Sequence, residues 1–466
     1  MDQEWVQPAL QGLTGVRLLT EKANRTASVL LPAIGVTSII IAGLAFIAFN
    51  PSPSGILLLG LLVMTYVNYF IGGRDVLYPA FIYTAIWTLI AAVYNFCPIE
   101  VDRLGSKTVA IFLAGGASFS IGAFLGKRPL IRAKHVELGE RKATCYHDNP
   151  KARNLLFGCT LLVTALFVVL ITRLAGGISG LGLSFLLKLN SPESPLEDVD
   201  AFTGIILGSG GFLPVLALWV LIMEEKRRWK IALCAICACI FPLFVTQRGL
   251  VMAAFCGCIT LFMLRSKDRT FRKMATPMSI AALAIVFLMS IMSLTKYWVQ
   301  SGEISVTTGA WRYITGPLAA FNYAVYHPEE YKDQPAAVFA QVLTPLSHLQ
   351  LIHYHTLLEV DGSTLDRFVD VPFPANVYTA YKPYYEDFGP LGCFVAFTLF
   401  GLIEGAIFYS AIRGNPFAVL FLVHLSSSLM FSTFDDNYHG FSRHLNVIVF
   451  AVGYFWLMKR LRFRLL

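Results

Sequence analysis

Apolar stretches of about 16–24 residues recur along the whole chain, and short charged segments separate them. A helix of roughly 20 apolar residues crosses a hydrocarbon core of about 30 Å. The pattern therefore predicts an all-α polytopic membrane protein with about twelve transmembrane helices. The predicted spans are residues 29–49, 54–72, 76–95, 107–126, 154–174, 203–223, 231–246, 249–264, 277–295, 390–411, 415–433 and 444–459. No internal repeat is visible, so residues 1–466 are expected to form a single integral membrane domain.

Composition agrees with this interpretation, since 56% of the residues are hydrophobic and only 14% are charged. A soluble chain of 466 residues needs more charge to cover its surface. The formal net charge of +8 would suit a nucleic-acid partner. The basic residues, however, crowd the short loops on one side of the predicted membrane, so no nucleic-acid partner is expected.

The distribution of charge also predicts an orientation. With both termini on the cytoplasmic side, 26 of the 37 Lys and Arg residues fall in cytoplasmic segments. The positive-inside rule therefore predicts cytoplasmic N- and C-termini. The first 27 residues are polar and carry Arg17, Lys22 and Arg25, with no cleavage site after a short apolar core. No removable signal peptide is expected.

One large external segment, residues 296–388, separates the ninth and tenth predicted spans. Its many Trp, Tyr and Phe residues are unlike a disordered linker. Helical spacing is visible in residues 309–327 and 336–358. We expect a large helical periplasmic loop whose short, partly amphipathic helices lie over the membrane surface.

Three arginines at the external edge are candidate anion ligands. Arg248 lies in the turn at residues 246–249 between two short spans, and such a turn is expected to be recessed below the outer membrane plane. A guanidinium there is costly unless it meets an anion or a water-filled cavity. Arg312 and Arg443 are predicted at the same depth and could converge with Arg248 on one polyanion, such as a lipid-linked pyrophosphate. The alternative is interfacial anchoring by arginines that extend to the headgroups.

The external loops also carry candidate proton acceptors. Asp435, Asp436 and His439 precede the last span, and His353 lies in the large loop. In so apolar a chain, such groups could deprotonate a hydroxyl nucleophile. The alternative is a solvated turn with helix-capping aspartates, and a surface histidine without a chemical role.

No metal or other cofactor is predicted. The run Cys234-x-x-Cys237-x-Cys239 lacks histidine partners and lies in an apolar span, where cysteine acts as a small hydrophobe. The spacing of His348, His353 and His355 does not put all three on one helix face, which argues against a metal cluster.

Aromatic and polar residues alternate in the segment that ends the large loop. Sugar rings need apolar stacking surfaces together with directional hydrogen bonds, and this mixture supplies both. The candidate glycan-binding residues are Asn376, Tyr378, Thr379, Tyr381, Tyr384 and Tyr385. The alternative is an interfacial aromatic belt. Glu404, within the following span, is interpreted as a partner of a neighbouring span or a cavity residue.

Taken together, the topology, the Arg248 turn, the segment from Asn376 to Gly392 and the polar loop before the final span resemble the bacterial O-antigen or oligosaccharide repeat-unit polymerases of the Wzy type. The topology covers the whole chain, and the motifs lie in residues 245–445. The resemblance implies a GT-C-like fold in the bacterial inner membrane, with the active site facing the periplasm. It also implies metal-independent, inverting glycosyl transfer from one undecaprenyl pyrophosphate-linked glycan to another, as in lipopolysaccharide biosynthesis.

On this resemblance, Arg248, Arg312 and Arg443 would neutralise the departing pyrophosphate. A base among His353, Asp387, His439, Asp435 and Asp436 would take the acceptor hydroxyl proton. Membrane lipids, a chain-length regulator and a flippase are the implied partners. Two alternatives stay open: an O-antigen ligase that uses a lipid A-core acceptor, and a polysaccharide or lipid transporter without covalent chemistry.

Overall fold

The computed structural model describes residue 37 and residues 52–127, 150–174, 213–223, 227–244, 248–266, 268–276, 278–279, 306–331, 338, 369–375, 378–434 and 441–464. These residues are mostly helical. The helices are α1 (Pro53–Ile71), α2 (Pro79–Asn95), α3 (Ser106–Leu125), α4 (Pro150–Leu174), α5 (Leu213–Met223), α6 (Arg228–Phe244), α7 (Arg248–Leu264), α8 (Val306–Tyr326), α9 (Lys382–Ile412), α10 (Pro416–Phe431) and α11 (Phe441–Arg464). A 3₁₀ turn covers Pro328–Tyr331, and a short antiparallel ladder pairs β1 (Val369–Asp370) with β2 (Pro374–Ala375).

Four of these helices are long and apolar enough to cross a membrane: α1, α3, α9 and the Arg153–Arg173 part of α4. Shorter apolar helices accompany them, including Pro79–Asn95 and Pro416–Phe431. The chain is therefore a membrane-embedded helical protein. Ten of the twelve predicted spans contain a described helix. The other two, residues 29–49 and 277–295, lie outside the described residues apart from 37, 278 and 279, so the number of spans stays a prediction.

The tenth predicted span shows how local chemistry sets a boundary. Helix α9 bends at Gly389, whose backbone angles are φ 65° and ψ −160°. This combination of φ and ψ is open almost only to glycine, and Pro390 then starts a new helical run because its own φ suits a first turn. The bend coincides with the predicted start of the span at residue 390. Residues 382–388, predicted as loop, form the short helical segment before it.

Helices α3 and α9 pack closely because each carries a Gly-x-x-x-Gly pair at their crossing. The pairs are Gly122 with Gly126, and Gly401 with Gly405. A Cβ atom on Gly401 would overlap the backbone carbonyl oxygen of Phe119. With no side chain between them, the two backbones approach to contact, which is how small residues drive helix association in a membrane.

Helix α8, within the predicted loop, is part of the bundle. Its residues Leu318, Ala319, Ala320 and Phe321 are all at most 1% exposed. The Phe321 ring lies 5.2 Å from the ring of Phe112 on α3. Val306–Tyr326 is therefore helical, in line with the spacing seen in residues 309–327, and residues 318–321 pack into the core. Its position relative to the membrane surface stays a prediction. Residues 336–358 lie outside the described residues apart from 338.

The described loops gather at two opposite ends of the helices. At one end, named the Asp75 end, Arg269 donates from Nε to Asp75 Oδ2 at 2.7 Å, and the Val76 N–H donates to the Arg269 carbonyl at 3.1 Å. At the other, named the Asn322 end, Asn322 Oδ1 accepts hydrogen bonds from Gly105 N and Thr108 Oγ1 at 2.9 and 2.7 Å. Loops predicted to share a side of the membrane thus meet at the same end. Which end faces the cytoplasm stays a prediction from charge.

We expect Arg269→Lys to lower the free energy of unfolding by about 1–2 kcal/mol. Both partners are mostly buried, at 11% and 14% exposure, and Nη2 also contacts Asp75 Oδ2 at 2.6 Å. A lysine ammonium cannot reproduce both contacts from one planar group. The measurement is thermal unfolding in detergent, with Arg272→Lys as the control because Arg272 is exposed. Equal melting temperatures for Arg269→Lys and the unmodified protein would contradict this role.

Candidate functional site

Three described elements meet at the Asn322 end. The rings of Tyr313 on α8 and Phe434, which follows α10, stack with centroids 5.5 Å apart. The Phe373 ring, in the turn between β1 and β2, lies against Gly316 of α8. The Ala380 N–H, just before α9, donates to the Ser432 carbonyl at 2.9 Å. These contacts bring α8, the β-hairpin, the start of α9 and the end of α10 into one region.

Arg312 lies in this region and has the properties of an anion ligand. Its guanidinium carbon is 5.4 Å from the centroid of the Phe373 ring, so the ring holds the cation in place. Nε is buried and has no hydrogen-bond partner in the structure. Among the described residues no carboxylate pairs with it. A permanently charged fork of donors is therefore positioned without a described counter-ion.

Lys382 is a buried cation at the start of α9, and sequence reasoning gave it no role. It is 4% exposed. Its Nζ lies 4.2 Å from the centroid of the Tyr378 ring and 3.5 Å from Glu386 Oε1. Tyr378 lies four residues before Lys382, and Glu386 lies four residues after it. Residues spaced by four are neighbours on a helix, so this spacing was the signal in the sequence for the two contacts. Burial of the pair could not be read from that spacing.

The five predicted glycan-binding residues that the structure describes are all buried. Their exposed fractions are 3% for Tyr378, 1% for Thr379, 1% for Tyr381, 6% for Tyr384 and 8% for Tyr385. The Tyr381 ring stacks on Phe397 with centroids 4.1 Å apart, and its hydroxyl lies 2.7 Å from the hydroxyl of Tyr83. In this structure the rings pack against protein. A glycan contact by these residues stays a prediction, and Asn376 lies outside the described residues.

Asp387 connects the large loop to α9. Its Oδ2 accepts a hydrogen bond from the Val338 N–H at 2.9 Å. Charged acceptors of this kind hold a loop firmly, because the carboxylate bond is stronger than a neutral one. The structure therefore gives Asp387 an anchoring contact, and its use as a base stays a prediction.

The backbone of Arg248 lies level with the C-terminal end of α10. Helix α7 leads to Arg269 at the Asp75 end and α10 leads to Ser432 at the Asn322 end, so the two are antiparallel. Gly257 packs against Val423. Nine residues separate Arg248 from Gly257, and nine separate Val423 from Ser432. At a rise of 1.5 Å per residue both distances are about 13 Å. Arg248 and Ser432 therefore lie at similar heights, at the Asn322 end.

The backbone of Arg443 lies below that of Arg248 along the bundle. Its neighbour His444 contacts His424, with 3.1 Å between His444 Nδ1 and His424 Nε2. His424 is eight residues before Ser432, which is about 12 Å along α10. The backbone of Arg443 is therefore roughly 10 Å below that of Arg248, and the convergence of the three arginines on one anion stays a prediction. The first turn of α11 packs beside the middle of α10 instead of its end.

The remaining candidates, His353, Asp435, Asp436 and His439, lie outside the described residues. Asp435 and Asp436 directly follow Phe434, whose ring stacks on Tyr313 beside Arg312. Within the part of the chain that the structure describes, no three His, Cys, Asp or Glu residues are grouped so that they could hold a metal ion. The absence of a metal requirement stays an expectation.

The described part of the Asn322 end therefore presents the Arg312 guanidinium beside a packed aromatic core. Arg248, level with Ser432, lies at the same end of the bundle, and Arg443 lies deeper. Compared with protein families, curated proteins and solved structures, the chain matches none.

Proposed function

We propose that the chain is a metal-independent, inverting membrane glycosyltransferase that polymerises undecaprenyl pyrophosphate-linked repeat units into O-antigen or a related surface polysaccharide. The observation that carries the proposal is the position of the Arg312 guanidinium. Its guanidinium rests on Phe373 with Nε buried and without a hydrogen-bond partner in the structure. A cation held in this way is suited to an anionic substrate group that it meets at the membrane surface.

The chemistry follows from charge. In direct displacement, the acceptor hydroxyl oxygen bonds to the donor's anomeric carbon, and the bond from that carbon to the pyrophosphate oxygen breaks. Negative charge develops on the departing pyrophosphate, where a fixed guanidinium stabilises it more than in the ground state. The acceptor proton goes to a base, for which Asp387, His353, Asp435, Asp436 and His439 are the candidates.

The shared height of the anion ligands supports the same proposal. Tyr313, next to Arg312, stacks on Phe434 at the C-terminal end of α10, and Arg248 is level with Ser432 near that end. Two arginines on different helices at one level suit the two phosphoryl groups of a pyrophosphate. A base close to them would come from the loop that follows Phe434 or from the start of α9.

We expect Arg312→Ala to reduce elongation by about 100-fold or more, because removal of one charge-stabilising donor typically costs 10²–10³ in rate. Arg312→Lys should recover part of the rate, since a lysine keeps the charge but lacks the planar fork. The assay uses vesicles containing the purified protein, a purified lipid-linked repeat unit and a metal chelator. Polymer length is read from a gel ladder, and Arg272→Ala, exposed at the opposite end, is the matched control.

Normal ladders from folded Arg312→Ala would remove Arg312 from catalysis. A need for added magnesium would contradict the metal-independent scheme, and growth only on a lipid A-core acceptor would indicate a ligase.

One observation favours a transporter as the second candidate: Glu404 on α9 is fully buried within a membrane span. Movement of the lipid-linked unit across the vesicle membrane without elongation would support that alternative.

A further inference from the structure

Two histidines from different helices contact each other within the bundle. His424 lies in the middle of α10, and His444 is the fourth residue of α11. His424 Nε2 and His444 Nδ1 are 3.1 Å apart, and the two rings are perpendicular with centroids separated by 5.2 Å. At that distance one nitrogen donates a hydrogen bond and the other accepts it. The contact therefore requires at least one of the two imidazoles to be neutral.

The pair lies where it decides the position of Arg443. Helix α11 enters the bundle beside the middle of α10, and His444 directly follows Arg443 in its first turn. The Ser427 hydroxyl donates to the His424 carbonyl at 2.9 Å, which ties this part of α10 to its own next turn. A change in the His424–His444 contact is therefore transmitted to the first turn of α11 and to Arg443.

The helices that pack against α10 carry the following titratable groups. Helix α7 brings Cys256 and Cys258 on either side of Gly257, which packs against Val423. Helix α9 carries Glu404. Glu404 and His424 are equally far in sequence from Gly414, in the turn that joins α9 to α10. Helix α2 contributes tyrosines, α5 has no titratable residue in its sequence, and α11 contributes Arg443 itself.

We propose that His424 and His444 form a proton-sensitive positioning pair that holds the first turn of α11, and with it Arg443, against α10. The inference rests on the proposed function for its consequence on activity. With no added proton or one, the pair keeps its hydrogen bond. With two protons both rings are cations and neither nitrogen can accept, so the contact breaks and the turn moves away. Release therefore requires acidification, and the pKa of free histidine, about 6.5, sets the starting point of the pH series.

The test compares His424→Gln with the unmodified protein and with His424→Leu. A glutamine amide stands near the position of histidine Nε2 and bonds to His444 in either protonation state, whereas leucine removes the contact at every pH. Ser442→Cys, in a Cys97→Ser background, reports the first turn of α11 through its rate of reaction with a membrane-impermeant thiol reagent. The labelling ratio is the reaction rate of the Ser442→Cys thiol in protein that keeps His424, divided by its rate in the His424→Gln protein. Because pH changes the reactivity of the thiol equally in both proteins, this effect cancels in the ratio.

Between pH 8 and pH 5.5 we expect this ratio to rise about threefold or more, because only the histidine background releases the turn. His424→Leu should react fast at both pH values. Elongation should fall in the same pH range for the unmodified protein and stay level for His424→Gln. An unchanged labelling ratio would overturn the positioning pair, whatever the activity. A rising ratio in protein that never elongates its substrate would support the pair and contradict the proposed glycosyltransferase.

Discussion

Gly401→Leu is expected to abolish the folded bundle. A Cβ atom at this position would overlap the carbonyl oxygen of Phe119 and lie 2.9 Å from the amide nitrogen of Ala123. Both atoms belong to the backbone of α3, so neither can turn aside as a flexible side chain would. The two helices would have to separate, and each would lose the close packing that associates helices in a membrane.

Size-exclusion chromatography in detergent checks this expectation, with aggregated or absent protein as the predicted result. Gly453→Leu is the matched control, because nothing in the structure lies within 4 Å of a Cβ added to Gly453 on α11. Gly122→Leu should behave like Gly401→Leu, since its Cβ would overlap the Thr398 carbonyl of α9 from the other side. A monodisperse Gly401→Leu variant that melts like the unmodified protein would show that α3 and α9 do not cross in this way.

Helix positions were predictable from sequence because burial in lipid is decided within each apolar stretch. Residues 54–72 were predicted and Pro53–Ile71 is observed, and for 107–126 the observed helix is Ser106–Leu125. Backbone groups in a membrane must be satisfied inside the segment, so a long apolar run has few alternatives to a helix. Which helices pair is a different matter. The Gly-x-x-x-Gly spacing of Gly122 and Gly401 can be seen in the sequence, but it does not say which segment each one meets.

The candidate site was less predictable, for reasons that differ between residues. Alternating rings and polar groups serve a sugar site and a packed core equally well, so the burial of Tyr381 could not be read from the pattern. The depth of Arg443 depends on how far α11 slides along α10, which the contact between His424 and His444 reveals and hydropathy does not. Arg312 was predictable as a charge at the external edge, whereas its seat on Phe373 depends on a β-hairpin more than fifty residues away.

Tyr381→Ala is expected to lower the free energy of unfolding by about 3–5 kcal/mol, as for other large buried aromatics. The ring stacks on Phe397 and lies at an angle to Trp87 and Phe112, with centroids 4.1, 5.5 and 4.7 Å away. Its removal leaves a cavity where elements α2, α3 and α9 meet. The measurement is thermal or denaturant unfolding of purified protein. Phe388→Ala is the matched control, since Phe388 is 54% exposed and its loss opens no cavity.

The Tyr381→Phe variant distinguishes the contribution of the Tyr381 ring to stability from that of its hydroxyl. It keeps the stacking but removes the 2.7 Å contact with the Tyr83 hydroxyl, so we expect a loss of about 1–2 kcal/mol. Elongation per folded molecule then distinguishes packing from glycan contact. A packing residue changes the amount and the stability of folded protein but leaves the rate of each folded molecule nearly unchanged. If Tyr381→Ala folded as stably as the unmodified protein and instead required far more lipid-linked acceptor, the ring would have to face the substrate, and its burial among Phe397, Trp87 and Phe112 would not describe the working enzyme.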